Sequence, residues 1–142
     1  MSNPIYKNKR YTHLPKQDHP VWERFLNSPA NIYTHFEYDV HVGDGRDPGQ
    51  IHTDDIRKLA VMLSQRRIDA IGYHKDHLGL FEVTRTAGLK ALGQLIAYPV
   101  LYQLKYNPEL AIKPILIAED MQTDTLDSFN QNRITVMLYG TP

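Results

Sequence analysis

The nearly apolar segment at residues 87–106 constrains the fold more than any other part of the chain. Its apolar side chains recur at the three- and four-residue spacing of an α-helix. One row of them comprises Leu89, Leu92, Ile96, Val100 and Leu104. A second row widens the first and comprises Ala91, Leu95, Tyr98 and Tyr102. A helix that is apolar over so much of its circumference packs against other parts of a protein. We therefore predict one long helix, kinked or interrupted at Pro99, with this apolar surface against a sheet.

Several segments have the composition and alternation of β-strands. Residues 32–42 alternate throughout, which predicts a strand that points Phe36, Tyr38, Val40 and Val42 to one side. Shorter β-type runs occupy residues 67–73, 78–84, 112–118 and 134–139. Residues 74–77 separate the first two of these runs, and so short a separation predicts a hairpin.

Two further helices are predicted from the residues at their starts. Asp18 or His19 can cap a short helix that has Pro20 in its first turn. The segment Thr53-Asp54-Asp55 can cap a second short helix that continues to Leu63. The apolar faces would comprise Trp22, Phe25 and Leu26 in the first helix and Ile56, Leu59, Ala60 and Leu63 in the second.

The order of these elements predicts a mixed α/β (α+β) fold with a central mixed sheet of about four to five strands. The long helix would pack on that sheet, and an acidic segment between the last two strands would form a helix or a loop. Residues 1–15 are predicted to be a polar arm, rich in basic and aromatic side chains. Residues 16–142 are predicted to be a single domain.

Composition excludes several classes of protein. The chain has 142 residues and no Cys, so we expect neither a disulfide framework nor a Cys-based zinc site. Its 7 His residues lack the spacing of zinc ligands. The apolar segment at 89–104 is too short and too polar to span a membrane. Residues 1–10 lack the apolar region of a signal peptide.

Two acidic residues interrupt neighbouring β-type runs. Asp69 lies in the first strand of the predicted hairpin and Glu82 in the second, where alternation places Glu82 and Thr84 on the same face. In a hairpin the two carboxylates can lie on adjacent strands, within reach of one cation. Two carboxylates completed by a backbone carbonyl and water suit Mg²⁺. The purely structural alternative is a half-exposed sheet face on which the acids pair with Arg67 or Lys90.

Polar residues on the long helix follow these acids along the chain. Lys90, Gln94 and Tyr98 are spaced by four and form one polar line along an otherwise apolar helix. Polar side chains at such positions are costly unless they have partners or a function. The structural alternative is that Gln94 and Tyr98 are simply buried, hydrogen-bonded groups.

An acid on one strand, Glu82-Val83-Thr84 on the next, and a helix with Gly-Gln-x-x-x-Tyr at residues 93–98 resemble the PD-(D/E)xK nuclease superfamily. The resemblance covers residues 33–139 and implies a restriction-endonuclease-like core. It implies that Asp69 and Glu82 bind Mg²⁺ or Mn²⁺ and act in catalysis, with Gln94 supporting the site. It also implies a supporting acid on the first helix, a place that Glu23 matches by order.

The lysine of the motif is replaced by Thr84, which cannot supply a positive charge. Lys90 is the best substitute, because some members of the superfamily carry the lysine on the helix. With Lys90 in that role, the resemblance implies a magnesium-dependent DNA phosphodiesterase, either an endonuclease or an exonuclease. Without it, the chain has a nuclease fold that lacks nuclease chemistry, so the sequence leaves enzymatic activity open.

A looser resemblance indicates a second function. Residues 38–43 read Tyr-Asp-Val-His-Val-Gly, and small proteins of tailed bacteriophages carry a similar segment ahead of the nuclease-like motif. This likeness implies a catalytically degenerate protein in the neck, connector or tail of the virion, or a DNA-packaging accessory. Its partners would be copies of itself or other virion proteins. Its location would be the host cytoplasm or the virion.

The formal net charge is zero, but the charges are unevenly distributed. Residues 57–105 carry 8 basic and 3 acidic side chains, whereas residues 28–56 carry 1 and 6. Basic and aromatic side chains alternate in the N-terminal arm, and a further base flanks the acid pair. One prediction is that these residues contact nucleic acid or a protein partner. They are Lys7, Lys9, Arg10, Tyr11 and Arg67. The equal alternative for the arm is a terminal tail that docks on a neighbouring subunit or stays mobile.

Overall fold

A five-stranded mixed sheet forms the centre of the protein. The computed structural model describes residues 11–140 except positions 46 and 48, and at 62–64 it describes the backbone alone. The strands are β1 (His35–Val42), β2 (Arg66–Tyr73), β3 (His77–Ala87), β4 (Ala111–Met121) and β5 (Thr135–Leu138). They lie in the order β1-β2-β3-β4-β5. The pairs β1–β2 and β2–β3 are antiparallel, and β3–β4 and β4–β5 are parallel.

Four helices connect and cover the strands of this sheet. They are α1 (His19–Leu26), α2 (Asp54–Ser64), α3 (Leu89–Tyr106) and α4 (Leu126–Gln131). The parallel pairs need crossover connections, which α3 supplies between β3 and β4 and α4 between β4 and β5. The Thr53 hydroxyl accepts the Ile56 amide proton at an N–O distance of 3.3 Å and so caps α2 as predicted. The sequence-based α+β class is confirmed.

Two hydrophobic clusters cover the two faces of the sheet. On one face, α1 contributes Trp22 and Phe25, which pack against Phe36 and Phe81 of the sheet. On the other face, α3 packs over the aliphatic side chains of β2, β3 and β4. Tyr11 and Leu14, from the predicted N-terminal arm, belong to the aromatic cluster under α1. Residues 11–15 are therefore packed on the domain.

Strand β1 reverses the side to which its alternate residues point. Phe36 lies in the cluster under α1, whereas Val40 lies in the cluster under α3, although both occupy the same phase of the strand. Asp39 lies between them with a φ of 55°, a left-handed conformation that is uncommon outside glycine. On β2, Ala70 and Ile68 are divided between the two clusters in the same way. The prediction that 32–42 keeps one apolar side was wrong, because a single left-handed residue breaks the alternation.

Helix α3 packs on the sheet through its second apolar row rather than its first. The row of Ala91, Leu95, Tyr98 and Tyr102 is buried. Most of the other row faces outward, and Leu104 is 77% exposed while Leu95 is 1% exposed. Pro99 lies inside the helix without ending it. The prediction that both rows lie against the sheet was therefore wrong in part. A helix that is apolar nearly all round carries no polar face to mark its outer side.

None of the helices within the described residues is both long enough and apolar enough to cross a membrane.

The orientation of α3 predicts opposite outcomes for two similar substitutions. Leu95→Ala should lower the free energy of unfolding by about 2–5 kcal/mol, because it leaves a cavity in the core. Leu104→Ala should lower it by less than about 1 kcal/mol in dilute solution, because that side chain is mostly exposed. Urea-induced unfolding followed by circular dichroism would measure both. A larger loss for Leu104→Ala would contradict the observed orientation.

Candidate functional site

The hairpin of β2 and β3 separates at the position where its two acids lie. Its pairs run from Tyr73↔Leu78 to Ala70↔Phe81, and the described ladder ends one position before Asp69 would face Glu82. There the Asp69 carboxylate accepts a hydrogen bond from the Val83 backbone amide at 2.8 Å. The side chain of Asp69 thus takes the place of a ladder hydrogen bond. This contact holds the carboxylate between the two strands.

Glu82 is the most deeply buried acid on the sheet side of α3. It is 6% exposed and lies in a continuous run of buried residues on β3. One of its carboxyl oxygens, Oε1, is buried and has no hydrogen-bond partner among the described residues. A buried carboxyl oxygen without a partner costs free energy, so its presence calls for a ligand or a proton.

The two carboxyl groups interact directly with each other. Burial and the neighbouring charge of Asp69 raise the pKa of Glu82 well above its usual range, and the Lys90 ammonium partly opposes that shift. Burial also raises the pKa of Asp69 to about 6, against the effect of the Val83 amide. Two carboxylates so close together in a buried setting resist simultaneous ionisation unless a cation lies between them.

A cleft of about 290 Å³ opens beside the acid pair and brings most of the predicted site residues together. The predicted residues that line it are Asp69, Glu82, Thr84, Lys90 and Gln94. The Gln94 amide also donates a hydrogen bond to the Tyr98 hydroxyl at 3.3 Å, so Tyr98 supports the wall of the cleft. The cleft thus brings Glu82 and Thr84 of β3 together with Lys90 and Gln94 of α3, and Val83 lines it as well.

A third acid, Asp18, lines the same cleft and was missed from the sequence as a site residue. It is 6% exposed, and burial raises its pKa although Arg85 opposes the shift. The sequence indicated it only as a helix cap, but it makes no capping hydrogen bond. Glu23, predicted for this role by order, instead accepts a hydrogen bond from the Tyr11 hydroxyl at 3.0 Å. The described lining of the cleft does not include Glu23.

His13 is a second residue near the acids that sequence reasoning did not select. Its Nε2 atom lies 3.9 Å from Asp69 Oδ1, and burial lowers the pKa of its imidazole. Neither of its ring nitrogens has a hydrogen-bond partner within the described structure. No local motif marks His13, because it reaches Asp69 only through the packing of the N-terminal segment on the sheet.

Two of the residues predicted to contact a partner, Tyr11 and Arg67, are described, and neither lines the cleft. Arg67 is exposed, and its Nη1 atom lies 3.6 Å from Asp39 Oδ2 rather than beside Asp69. Tyr11 is a core side chain, because its ring packs on Tyr38 and His19. Lys7, Lys9 and Arg10 lie outside the described residues. The structural alternative in which Arg67 neutralises Asp69 therefore lacks a supporting contact.

The donor set of the cleft fits a hard divalent cation. Within the part of the chain that is described, no group of three or more His, Asp or Glu side chains is arranged to hold a metal. Magnesium is commonly bound through one or two carboxylates, with water and substrate phosphate completing its coordination. Asp69 and Glu82 supply such a pair, and the unpartnered Oε1 of Glu82 is free to coordinate.

Comparisons with family models, with curated proteins and with solved structures find no match to this chain.

The raised pKa values predict how stability depends on pH in the absence of metal. Above about pH 4 the unfolded chain releases protons that the folded carboxyls retain, so their contribution to stability falls as pH rises. The buried imidazole of His13 acts in the opposite sense, because its pKa is lowered. The informative quantity is therefore a difference between variants. Glu82→Gln should gain stability over the wild type progressively from about pH 4 to pH 7.

Urea unfolding in the presence of a chelator would measure that difference at each pH. Asp124→Asn is the matched control, since Asp124 is exposed and far from the cleft in sequence. It should keep the pH dependence of the wild type. A Glu82→Gln advantage that is the same at acidic and neutral pH would show that the carboxyl ionises normally.

Proposed function

We propose that this chain is a divalent-metal-dependent phosphodiesterase that acts on DNA, as its resemblance to the PD-(D/E)xK superfamily implies. One observation carries the proposal. The buried carboxyl of Glu82 and the partly buried carboxyl of Asp69 converge at a cleft from adjacent strands. Burial raises the pKa of both groups, Asp69 raises that of Glu82 further, and Oε1 of Glu82 has no hydrogen-bond partner among the described residues. A pair of hydrophobic side chains would stabilise the sheet better at these positions. The burial of two acids here favours a binding function over a structural one.

Each residue around the cleft has a separate role in the proposed reaction. Asp69 and Glu82 would hold Mg²⁺ or Mn²⁺, which when bound lowers the pKa of a coordinated water and offsets phosphate charge. Lys90 lines the same cleft, and its positive charge lowers the pKa of Glu82. The same charge can offset negative charge on the phosphate. Gln94 is fixed by its hydrogen bond to Tyr98 and presents an amide to the cleft.

The chain order of the elements supports the same proposal. The acids lie on the two strands of a hairpin, and the strand that bears Glu82 leads into α3 after a single residue, Gly88. Helix α3 therefore begins beside the acid pair and brings Lys90 there from its first turn. The resemblance implied that arrangement, with the helix supplying the positive charge that Thr84 lacks.

Metal binding is the first test of the proposal. The wild type should bind Mn²⁺, measured by isothermal titration calorimetry. Asp69→Asn and Glu82→Gln should each weaken binding by more than the 10–100-fold that changes around a metal ligand cost. Asp124→Asn should bind as the wild type does. Equal affinity in all four proteins would place the metal outside the acid pair. No binding by the wild type would contradict a metal site in this protein.

Cleavage is the second test. The wild type should nick or cut DNA with Mg²⁺ or Mn²⁺, and Glu82→Ala should abolish cleavage without unfolding the protein. Lys90→Met should reduce the rate of cleavage by about 100-fold or more. Lys58→Met is the matched control, because it removes a lysine outside the cleft, and it should cleave as the wild type does. A pure wild-type protein that shows no cleavage with either metal would contradict the enzymatic proposal.

The second candidate function is that of a catalytically degenerate, nuclease-like protein that assembles into a virion or assists DNA packaging. Thr84 favours it, because the residue at the lysine position lines the cleft without a charge. The double variant Lys90→Met/Thr84→Lys distinguishes the two functions. If Lys90 replaces the missing lysine, the new Thr84→Lys side chain should restore part of the cleavage lost in Lys90→Met. An inactive wild type that co-purifies with phage particles would support the second function instead.

A further inference from the structure

The outward face of α3 is a continuous apolar surface. Four of its side chains are exposed to 69%, 45%, 59% and 77%, and these are Leu89, Ile96, Val100 and Leu104 respectively. Gly93 and Ala97 lie between them and are also exposed, so the backbone of the helix can be approached closely. No charged residue occurs in the sequence between Lys90 and Lys105. This outer face is defined here by Leu89, Gly93, Ile96, Ala97, Val100 and Leu104.

The extent of the outer face exceeds that of ordinary scattered surface leucines. Its four exposed aliphatic side chains present on the order of 400 Å², within the size range of the largest apolar patches on monomeric proteins. A standard interface buries about 800 Å² on each partner, so these side chains alone supply about half of the area that a stable dimer needs. The six residues of the outer face carry no charge, so covering them desolvates no ion of the face itself.

Grooves lie on both sides of the outer face near its carboxyl-terminal end. One groove of about 370 Å³ is lined by Val100, Gln103, Leu104 and Ile112. A second groove of about 410 Å³ is more polar and is lined by Gly43, Asp44, Gln65, Leu101, Leu104 and Lys105. Leu104 therefore stands as a ridge between two grooves. A two-fold axis that passes between the ridge and the apolar groove would bring each Leu104 over the groove of the other copy.

We propose that a second copy of this chain covers the outer face of α3 and forms a two-fold dimer. The proposal does not depend on nuclease activity, since the cleft uses Lys90, Ala91 and Gln94 on other sides of the helix. A lipid surface is disfavoured as the occupant, because helices that lie on membranes carry Lys and Arg beside their apolar face. The outer face has such residues only at its two ends.

The oligomeric state in solution tests the proposal directly. The wild type should sediment as a dimer that dissociates on dilution over about a hundredfold range of concentration. Val100→Glu and Leu104→Glu should each raise the dimer dissociation constant by at least about tenfold. Ile51→Glu is the matched control, because Ile51 is 92% exposed and lies outside the outer face. It should dimerise as the wild type does, and all three variants should keep the wild-type circular dichroism spectrum.

Cysteine cross-linking gives a second measurement that does not depend on substitutions that weaken the dimer. The chain has no Cys, so a single introduced Cys reports only on its own environment. Residues near a two-fold axis approach their own copies, and a disulfide forms when the two Cα atoms lie within about 7 Å. At least one of Ala97→Cys, Val100→Cys and Leu104→Cys should form a linked dimer under mild oxidation, much faster than Ile51→Cys.

Three outcomes would overturn the proposal. One is a wild type that stays monomeric throughout the concentration range, which would assign the outer face to another partner. Another is a dimer that Val100→Glu and Leu104→Glu do not weaken, which would place the interface elsewhere. The third is cross-linking at the outer face no faster than at Ile51→Cys.

Discussion

The hydrogen bond from the Val83 amide to the Asp69 carboxylate is the contact on which the site depends. It replaces a rung of the β2–β3 ladder, so the strands separate without leaving the amide unsatisfied. The separation leaves room for Glu82 to stand buried beside Asp69. Burying two acids together is unfavourable without a cation or a shared proton. The rest of the sheet offsets the free energy that this pair costs, most directly through the pairing of β3 with β4, which is continuous from His77 to Thr84.

The irregular features of the sheet gather around the same contact. Strand β1 has its left-handed residue at Asp39, opposite the part of β2 that contains Asp69. Alternate residues on both strands change sides there, and one buried oxygen of Asp39 also lacks a hydrogen-bond partner among the described residues. Sparsely populated backbone conformations and unsatisfied polar atoms persist where surrounding structure holds them, often at functional sites. Asp39 does not line the cleft, but its carboxylate is close enough to raise the pKa of Asp69, so these irregular features lie near the acid pair.

Local patterns were sufficient to predict the elements and part of the site. Thr53, the first residue of the predicted cap Thr53-Asp54-Asp55, caps its helix. Glu82 and Thr84, which the motif selects, line one cleft together with Val83. Features that depend on contacts distant in sequence were not predictable. Asp18 becomes part of the cleft only because α1 and the turn before it pack on the sheet, and His13 reaches Asp69 in the same way. At Asp39 the side chains of β1 change faces because of a left-handed backbone conformation. No residue pattern in the strand predicts that conformation.

Helix α3 reverses the usual distribution of side chains, and that reversal has a physical cause. Its buried row ends in Tyr98 and Tyr102, whose hydroxyls find partners in Gln94 and Tyr73 at the helix–sheet boundary. Leucine and valine need no such partners, so they can occupy the outer side without an unsatisfied polar atom. The arrangement nevertheless leaves hydrocarbon in water, which forgoes roughly 25 cal/mol for each Å² that burial would remove. A helix selected only to cover its own sheet would carry polar residues there. The dimer that we propose would account for this outer row, because a second copy would cover it as the sheet covers the buried row.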